Sequence, residues 1–454
     1  MEGLAVAKFV ERDQSQLYLL PVDMRDWLPE DDLAHFVVEA VERVPMRSFH
    51  VNERGTGSAQ YHPRMMLALL IYCYANGIFG SRRIERATYR DIGVRYVASN
   101  THPDHDTICA FRRKNFEAVA ETFEQVLLLA KELKLLRVGM VSVDGTKVDA
   151  NANKRNSIRY DRAQALREQL RAEIEELLER AESEDAQEVA DSQALPEELA
   201  RREELKSKLD EACAELERRA RTAADAGRAE HDRKVASRER RRGRRKGPRI
   251  KPPREEPDEG QQINLTDGDS ALMRKSKRHE YRQAYNAQAV VDAGGSQLVL
   301  GARVSNNASD RRELVADVDA IPSGVGAPAR VLADSGYASG NEVERLEERG
   351  AEVLVSTQAE GRRRRHDFRP PVAPRPGPAV RADWIAAMRA KMALPEERAR
   401  YRLRRQTVEP VFGIVKQAMG FRQFLLRGLD KVEGEWVLVM LAYNCKRLHN
   451  LTLA

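Results

Sequence analysis

The stretch Val141-Ser142-Val143-Asp144-Gly145-Thr146-Lys147-Val148-Asp149-Ala150 decides the fold. It reads as a short apolar strand, a carboxylate, a glycine turn and a second strand. Val138, Met140, Val141 and Val143 are apolar and the valines are β-branched, which suits a buried strand leading to Asp144. A carboxylate at the end of a buried strand can face a cleft and offer hard oxygen to a divalent metal. Asp-Gly between strands is equally a hairpin turn. The balance moves with two further carboxylates elsewhere in the chain.

At 454 residues a single core is too small an account, and two or three domains are expected. Hydrophobic residues at 42% support a globular protein, while 33% charged residues leave much of it wet. The net charge of +6 conceals strong local asymmetry. No apolar run is long enough to cross a bilayer, and Met1 to Arg12 lacks the basic-then-apolar pattern of a signal peptide. Cys73, Cys109, Cys213 and Cys445 lie far apart, so neither a zinc site nor a disulfide framework is indicated. The expectation is a soluble protein of a reducing cytoplasm with no membrane partner.

Upstream, residues 1–135 read as helical. Asp31 and Asp32 open a helix on which Leu33, Phe36, Val37, Ala40 and Val41 recur at helical spacing. Pro63 opens another whose run Met65 to Tyr72 is apolar nearly all round, so it belongs at the centre of this region. Ser81 to Asp91 is basic and amphipathic. His102-Pro103-Asp104-His105-Asp106-Thr107 is a turn capping the next helix, preferred over a metal cluster because no matching ligands follow. Arg112, Arg113 and Lys114 on that helix suit DNA phosphates, and a solvated basic face is the competing reading.

Downstream, residues 159–221 turn to Glu, Arg, Ala and Leu. Leu166, Leu170, Ile174 and Leu177, then Leu199, Leu205, Leu209 and Leu216, describe two antiparallel helices inserted between strands that belong together. Residues 228–254 hold the densest charge, including Arg241, Arg242, Arg244 and Arg245; a disordered arm binding polyanion competes with a plain linker. Strands return at Tyr285 to Asp292 and Gln297 to Val304 as a hairpin around Gly294-Gly295. Ala329 to Ala333 then runs into Asp334, with Ser339 and Glu342 as a capping box for helix 341–349 and a further strand at 351–356. This β-loop-α-β unit makes the sheet partly parallel and puts Asp334 at a carboxyl strand end, where open α/β sheets place their sites. A basic loop, 361–376, precedes a long helix on which Tyr401, Arg405, Glu409 and Lys416 share a face. Pro410 predicts a kink or a new helix start there. The last helix, 432–448, carries Trp436, Val439, Met440 and Tyr443 and should pack on the sheet.

Asp144, Asp334 and Glu409 in these settings resemble the acidic triad of the DDE transposases of bacterial insertion sequences. The resemblance covers most of the chain, through Val143 to Lys147, Tyr285 to Asp292, Ala333 to Tyr337, and Arg405, Glu409 and Lys416 in the third motif. Tyr401 departs from the family's spacing, since the usual two-residue gap pairs it with Arg404 instead of Arg405. The resemblance implies an α/β, RNase H-like mixed sheet flanked by helices, behind an all-α DNA-binding region (1–135). The sheet is split into 136–156 and 261–454 by the helical-hairpin insertion and basic linker (157–260). It implies that Asp144, Asp334 and Glu409 are catalytic and hold two Mg²⁺ ions, with Mn²⁺ as a substitute. Such ions lie about 3.5–4 Å apart in two-metal sites. The partners implied are double-stranded DNA, at the element ends and the target, and a second copy in a homodimer. Tyr401, Arg404, Arg405, Lys416, Arg112, Arg113 and the arginines of the basic arm would contact DNA. Asp149, Asp267 and Asp292 stand as reserve carboxylates. A nuclease without strand transfer and a DNA-binding protein with a decayed site are the competing readings.

Overall fold

In the computed structural model, which describes residues 23–51, 59–185, 194–240, 250–274, 278–357 and 383–453, the N-terminal apolar spacing closes into helices. These are α1 (Leu33–Glu42), α2 (Pro63–Ala75), α3 (Ser81–Arg90), α4 (Ile92–Val97), α5 (His105–Lys114) and α6 (Phe116–Glu132). Asp32 caps α1 by accepting from the Ala34 amide at 2.8 Å, and Asp104 caps α5 through Thr107 at 2.8 Å. Every residue of α2 from Met66 to Ala75 is buried, as its all-round apolar sequence predicts. The turn histidines tie helices together: His102 bonds Thr88 at 3.0 Å and His105 bonds Glu85 at 2.9 Å.

Strand β1 (Met140–Asp149) runs unbroken for ten residues, so Asp144-Gly145 is not a turn. Antiparallel pairing with a long partner strand carries β1 through that point. β2 (Ser157–Arg159) leads into α7 (Tyr160–Asp185) and α8 (Ala194–Arg240), and β3 (Gln262–Asn264) returns beside β2. The small β2–β3 ladder closes the base of the insertion, so the sheet resumes where it left off. The Tyr160–Glu217, Arg167–Asp210 and Glu173–Arg202 pairs show α7 and α8 running antiparallel. They close on Ala163, Leu170, Leu209, Ala212, Cys213 and Leu216. α8 continues past Arg221 to Arg240, where a disordered stretch is expected from charge. Alanines and long-chain charged residues in 223–240 are good helix formers. Arg241, Arg242, Arg244, Arg245 and the basic loop 361–376 lie outside the described residues.

β4 (Ala271–Met273), β5 (Arg282–Asp292) and β6 (Val299–Ser305) follow, then α9 (Leu314–Asp319), β7 (Arg330–Ala333), α10 (Gly340–Glu348) and β8 (Glu352–Val355). The sheet order is β8-β7-β1-β5, with β6 and β4 sharing the far edge of β5. β1, β7 and β8 are parallel, while β5 runs against both β1 and β6. This is the RNase H-like mixed sheet implied by the resemblance. The capping box of α10 is not made: Ser339 holds the cap position without a side-chain bond, and Glu342 accepts from the Val315 amide at 3.1 Å.

The chain ends in α11 (Asp383–Ala393), α12 (Pro395–Arg402), α13 (Arg404–Gly413) and α14 (Leu429–Thr452). α14 packs on the sheet and on the N-terminal helices at once. Its fully buried Trp436 donates to the Gln288 carbonyl at 2.8 Å, and Asn444 bonds both the amide and the carbonyl of Val299. One hydrophobic core therefore runs from α2 and α6 through α14 into β1 and β5.

Candidate active site

Parallel pairing of β1 with β7 sets Val143 opposite Ala333. The next residues, Asp144 in the middle of β1 and Asp334 just past the end of β7, therefore lie side by side. Asp144 is not at the strand end expected for it, because β5 carries β1 on to Asp149. Asp334 accepts from the Gly336 amide at 2.7 Å and caps the short turn Ser335–Tyr337, so it is both a cap and a strand-end carboxylate. Asp144 accepts from its neighbour Gly145 at 2.8 Å, and its other oxygen stands 3.3 Å from an Arg404 nitrogen. Burial and then the Asp334 charge push Asp144 up to about 7, against the pull of Arg404.

Arg404 is 5% exposed, and its second terminal nitrogen lies 3.7 Å from Glu409. α12 and α13 meet at Leu403, which keeps helical dihedrals. The inward side carries Tyr401, Arg404 and Val408 while Arg405 and Glu409 are exposed, so Tyr401, Arg405, Glu409 and Lys416 do not act as one face. Arg405 is exposed, and Arg404 is the arginine at the carboxylates. Pro410 sits inside α13 without ending it. The Gln406 carbonyl, which proline cannot bond, accepts from the Gln297 side chain at 2.8 Å. Beyond Gly413 the helix opens into a π-turn, Ile414–Ala418, from which Lys416 reaches Thr146 at 2.7 Å and the Lys147 carbonyl at 2.6 Å.

Three of the expected DNA contacts are buried: Arg404 among the carboxylates, Arg112 and Tyr401. Arg112 is 4% exposed, donates to the Tyr74 hydroxyl at 2.8 Å and faces the buried Glu435 at 4.0 Å. Tyr401 packs with Ala293, Leu332 and Leu354. Arg113 and Lys114 are exposed, as are Arg82, Arg83, Arg86 and Arg90 on α3. The reserve carboxylates are occupied. Asp267 accepts from the Tyr285 hydroxyl and the Gly428 amide, Asp292 from Gly294 and Ser296, and Asp149 faces Arg282 at 3.2 Å.

Among the described residues, no three His, Cys, Asp or Glu side chains form a group that could hold a metal ion. Asp144 and Asp334 are adjacent carboxylates, hard oxygen of the kind a divalent cation takes, and the cation now beside Asp144 is the Arg404 guanidinium. Glu409 is 53% exposed at its side chain and joins them through Arg404.

A polar set missed at the level of sequence lies behind β1. Asp310 accepts from Asn286 at 2.5 Å and Gln288 at 3.0 Å, Lys147 stands 3.8 Å away, and the Tyr337 hydroxyl donates to Gln288. The available signal was Asn286 and Gln288 two apart in an otherwise apolar strand, which puts both on one face.

The family model described as Transposase DDE domain matches residues 258–445, and that described as Transposase domain (DUF772) matches residues 22–114. Neither the curated proteins nor the solved structures give a match. Among the described residues no helix is long and apolar enough to cross a membrane.

Proposed function

The chain belongs to the DDE transposases of insertion-sequence type, and on that premise we propose that it binds the ends of its element, cleaves there and joins them to target DNA. Asp144, Asp334 and Glu409 are its catalytic carboxylates. The observation that carries this reading is Arg404, a buried cation shared by Asp144 and Glu409 while Asp334 loads Asp144 from the other side. Arg404 thus links Asp144 and Glu409, which lie far apart in the sequence, and Asp334 stands beside Asp144.

Asp144 and Asp334 would hold divalent cation, Mg²⁺ or Mn²⁺, with Glu409 completing the set. Such ions activate a water or hydroxyl nucleophile and stabilise the leaving oxygen at phosphorus. The chain's own part is to orient and to exclude. β1 and β7 fix the aspartates on a sheet, and Lys416 pins the π-turn to Thr146 on the face that bears Asp144. Arg404 lowers the repulsion between carboxylates until cation and DNA phosphate share that charge. Arg405 and the exposed Arg113 hold DNA backbone, as do the arginines of 241–245. With two ends to join, the working assembly is a homodimer.

Cleavage and strand transfer on duplexes carrying the element ends test the reading. Asp144→Asn, Asp334→Asn and Glu409→Gln should each lose both steps while binding persists. Cleavage without joining by the wild type would reduce the protein to a nuclease.

A further inference from the structure

Cross-strand register separates the two faces of the sheet at the site. Gly145 lies opposite Gln288 and Lys147 opposite Asn286, so these four share one face, and Asp144 looks out from the other. Gly145 leaves room for the network behind the strand. A Cβ there would lie 2.6 Å from the Gln288 amide nitrogen and 2.8 Å from Asn286 Oδ1. Into that room the loop after β6 delivers Asp310.

Asp310 sets the polarity of this network. An ionised carboxylate only accepts, so the Gln288 and Asn286 amides must turn their nitrogens toward it. Gln288 then presents its oxygen to Tyr337, whose hydroxyl donates to it. Tyr337 is fully buried and ends the turn that Asp334 caps. The second Asp310 oxygen closes on the same turn: a Cβ at Gly336 would lie 3.4 Å from it and 2.8 Å from Asp334 Oδ1. Asp310 is thus bonded to β5, paired with Lys147 of β1 and packed against the turn after β7.

We propose that Asp310 is a positioning residue for the carboxylate pair: through Gln288 and Tyr337, from behind the sheet, it fixes the turn that presents Asp334 to Asp144. The proposal rests on Asp144 and Asp334 being the working pair. Asp310 touches neither DNA nor cation in this role.

The test is Mn²⁺ affinity of the full-length protein, read by electron paramagnetic resonance without DNA, alongside single-turnover cleavage and duplex binding. Asp310→Ala and Tyr337→Phe should each weaken Mn²⁺ binding and slow cleavage roughly 10- to 100-fold, as loss of an outer-shell partner does. Duplex affinity should hold. Asp310→Asn keeps an acceptor and should recover most of the loss. The double variant should be no worse than the poorer single one, because both act on one chain of bonds. A purely structural Asp310, offsetting the buried Lys147 ammonium, would lower the melting temperature and leave Mn²⁺ affinity alone. That result, or losses that multiply in the double variant, overturns the proposal. Tyr337→Phe keeps the volume, so it reports even where Asp310→Ala does not fold. If Asp144→Asn abolishes cleavage while Asp310→Ala and Tyr337→Phe bind Mn²⁺ like the wild type, the proposal alone falls. If Asp144→Asn itself binds Mn²⁺ and cleaves normally, the catalytic reading falls and takes the proposal with it.

Discussion

Asp144 and Asp334 differ from Asp267 and Asp292 less in burial than in what their oxygens do. Asp292 is 1% exposed and spends its carboxylate on the Gly294 and Ser296 amides and the Ser296 hydroxyl. Asp267 takes the Tyr285 hydroxyl on both oxygens and the Gly428 amide besides. Asp334 takes one nearby amide and Asp144 one amide and the Arg404 guanidinium, and the two stand beside one another with fewer protein donors than Asp267 or Asp292. A buried carboxylate whose lone pairs are filled by protein donors is a structural bond. One left with spare oxygen next to a like charge is held ready for a cation.

The widest separation between the two classes should be in catalysis. Asp144→Asn and Asp334→Asn should bring cleavage of element ends down to background, with duplex binding near wild type. Asp149→Asn should keep substantial cleavage, since that residue faces Arg282 at the far end of β1. Robust cutting by Asp334→Asn would erase the distinction.

A smaller effect follows from the proton on Asp144. Its folded value is raised to about 7, whereas an unfolded aspartate titrates near about 4. The folded protein therefore keeps a proton that the unfolded chain releases, and this stabilising contribution is present below about pH 4 and lost as pH rises to about 7. In chelator, wild type should lose ~2–3 kcal/mol relative to Asp144→Asn between pH 5 and 8, at about 1.4 kcal/mol per unit. Urea midpoints at the two pH values measure it. Parallel profiles for the two proteins would contradict the burial of Asp144 and its crowding by Asp334.

For Asp267 the sign of the comparison reverses, and stability is the readout. Asp267→Asn leaves the buried Tyr285 hydroxyl and the Gly428 amide competing for one oxygen. A loss of ~1–3 kcal/mol is expected, with cleavage per folded molecule unchanged. Chemical denaturation beside single-turnover kinetics separates the two terms.

This difference in spent oxygens could not be read from the sequence, although the position of Asp334 could. The β-loop-α-β pattern placed Asp334 just past a strand and the hairpin of β5 with β6 followed from Gly294-Gly295, whereas Asp144, expected at a strand end, lies in the middle of β1. The continuity of β1 through Gly145 was hidden, because it depends on β5 pairing across a gap of more than a hundred residues. Arg404 was offered by the family's spacing from Tyr401 but not separated from Arg405. Helical spacing from Tyr401 admits Arg404 and Arg405 alike, and burial of Arg404 with Tyr401 and Val408 on one side decides between them. Arg112 misled because charge at a helix end looks exposed, while its partner Glu435 comes from the last helix of the chain.

Cations allow the same comparison with the smallest expected effect. In the insertion, Arg171 pairs with Glu175, Arg180 with Glu176 and Arg202 with both Glu173 and Glu198. On α3, Arg82, Arg83, Arg86 and Arg90 are exposed and have no carboxylate partner among the described residues, and Glu85 is turned to His105. A paired arginine on a wet helix contributes ~0.3–0.5 kcal/mol to stability and little field to a polyanion. An unpaired one can take the place of a counterion on a phosphate. Arg171→Ala with Arg180→Ala should therefore shift melting by less than ~1 kcal/mol and leave duplex affinity flat across a salt series. Arg82→Ala with Arg86→Ala should leave melting alone and lower the slope of log affinity against log salt by about 0.9 for each phosphate no longer neutralised. Fluorescence anisotropy with one duplex at several salt concentrations measures both pairs. Equal slopes for the two double variants would mean that pairing with a neighbouring carboxylate does not decide which arginines meet DNA.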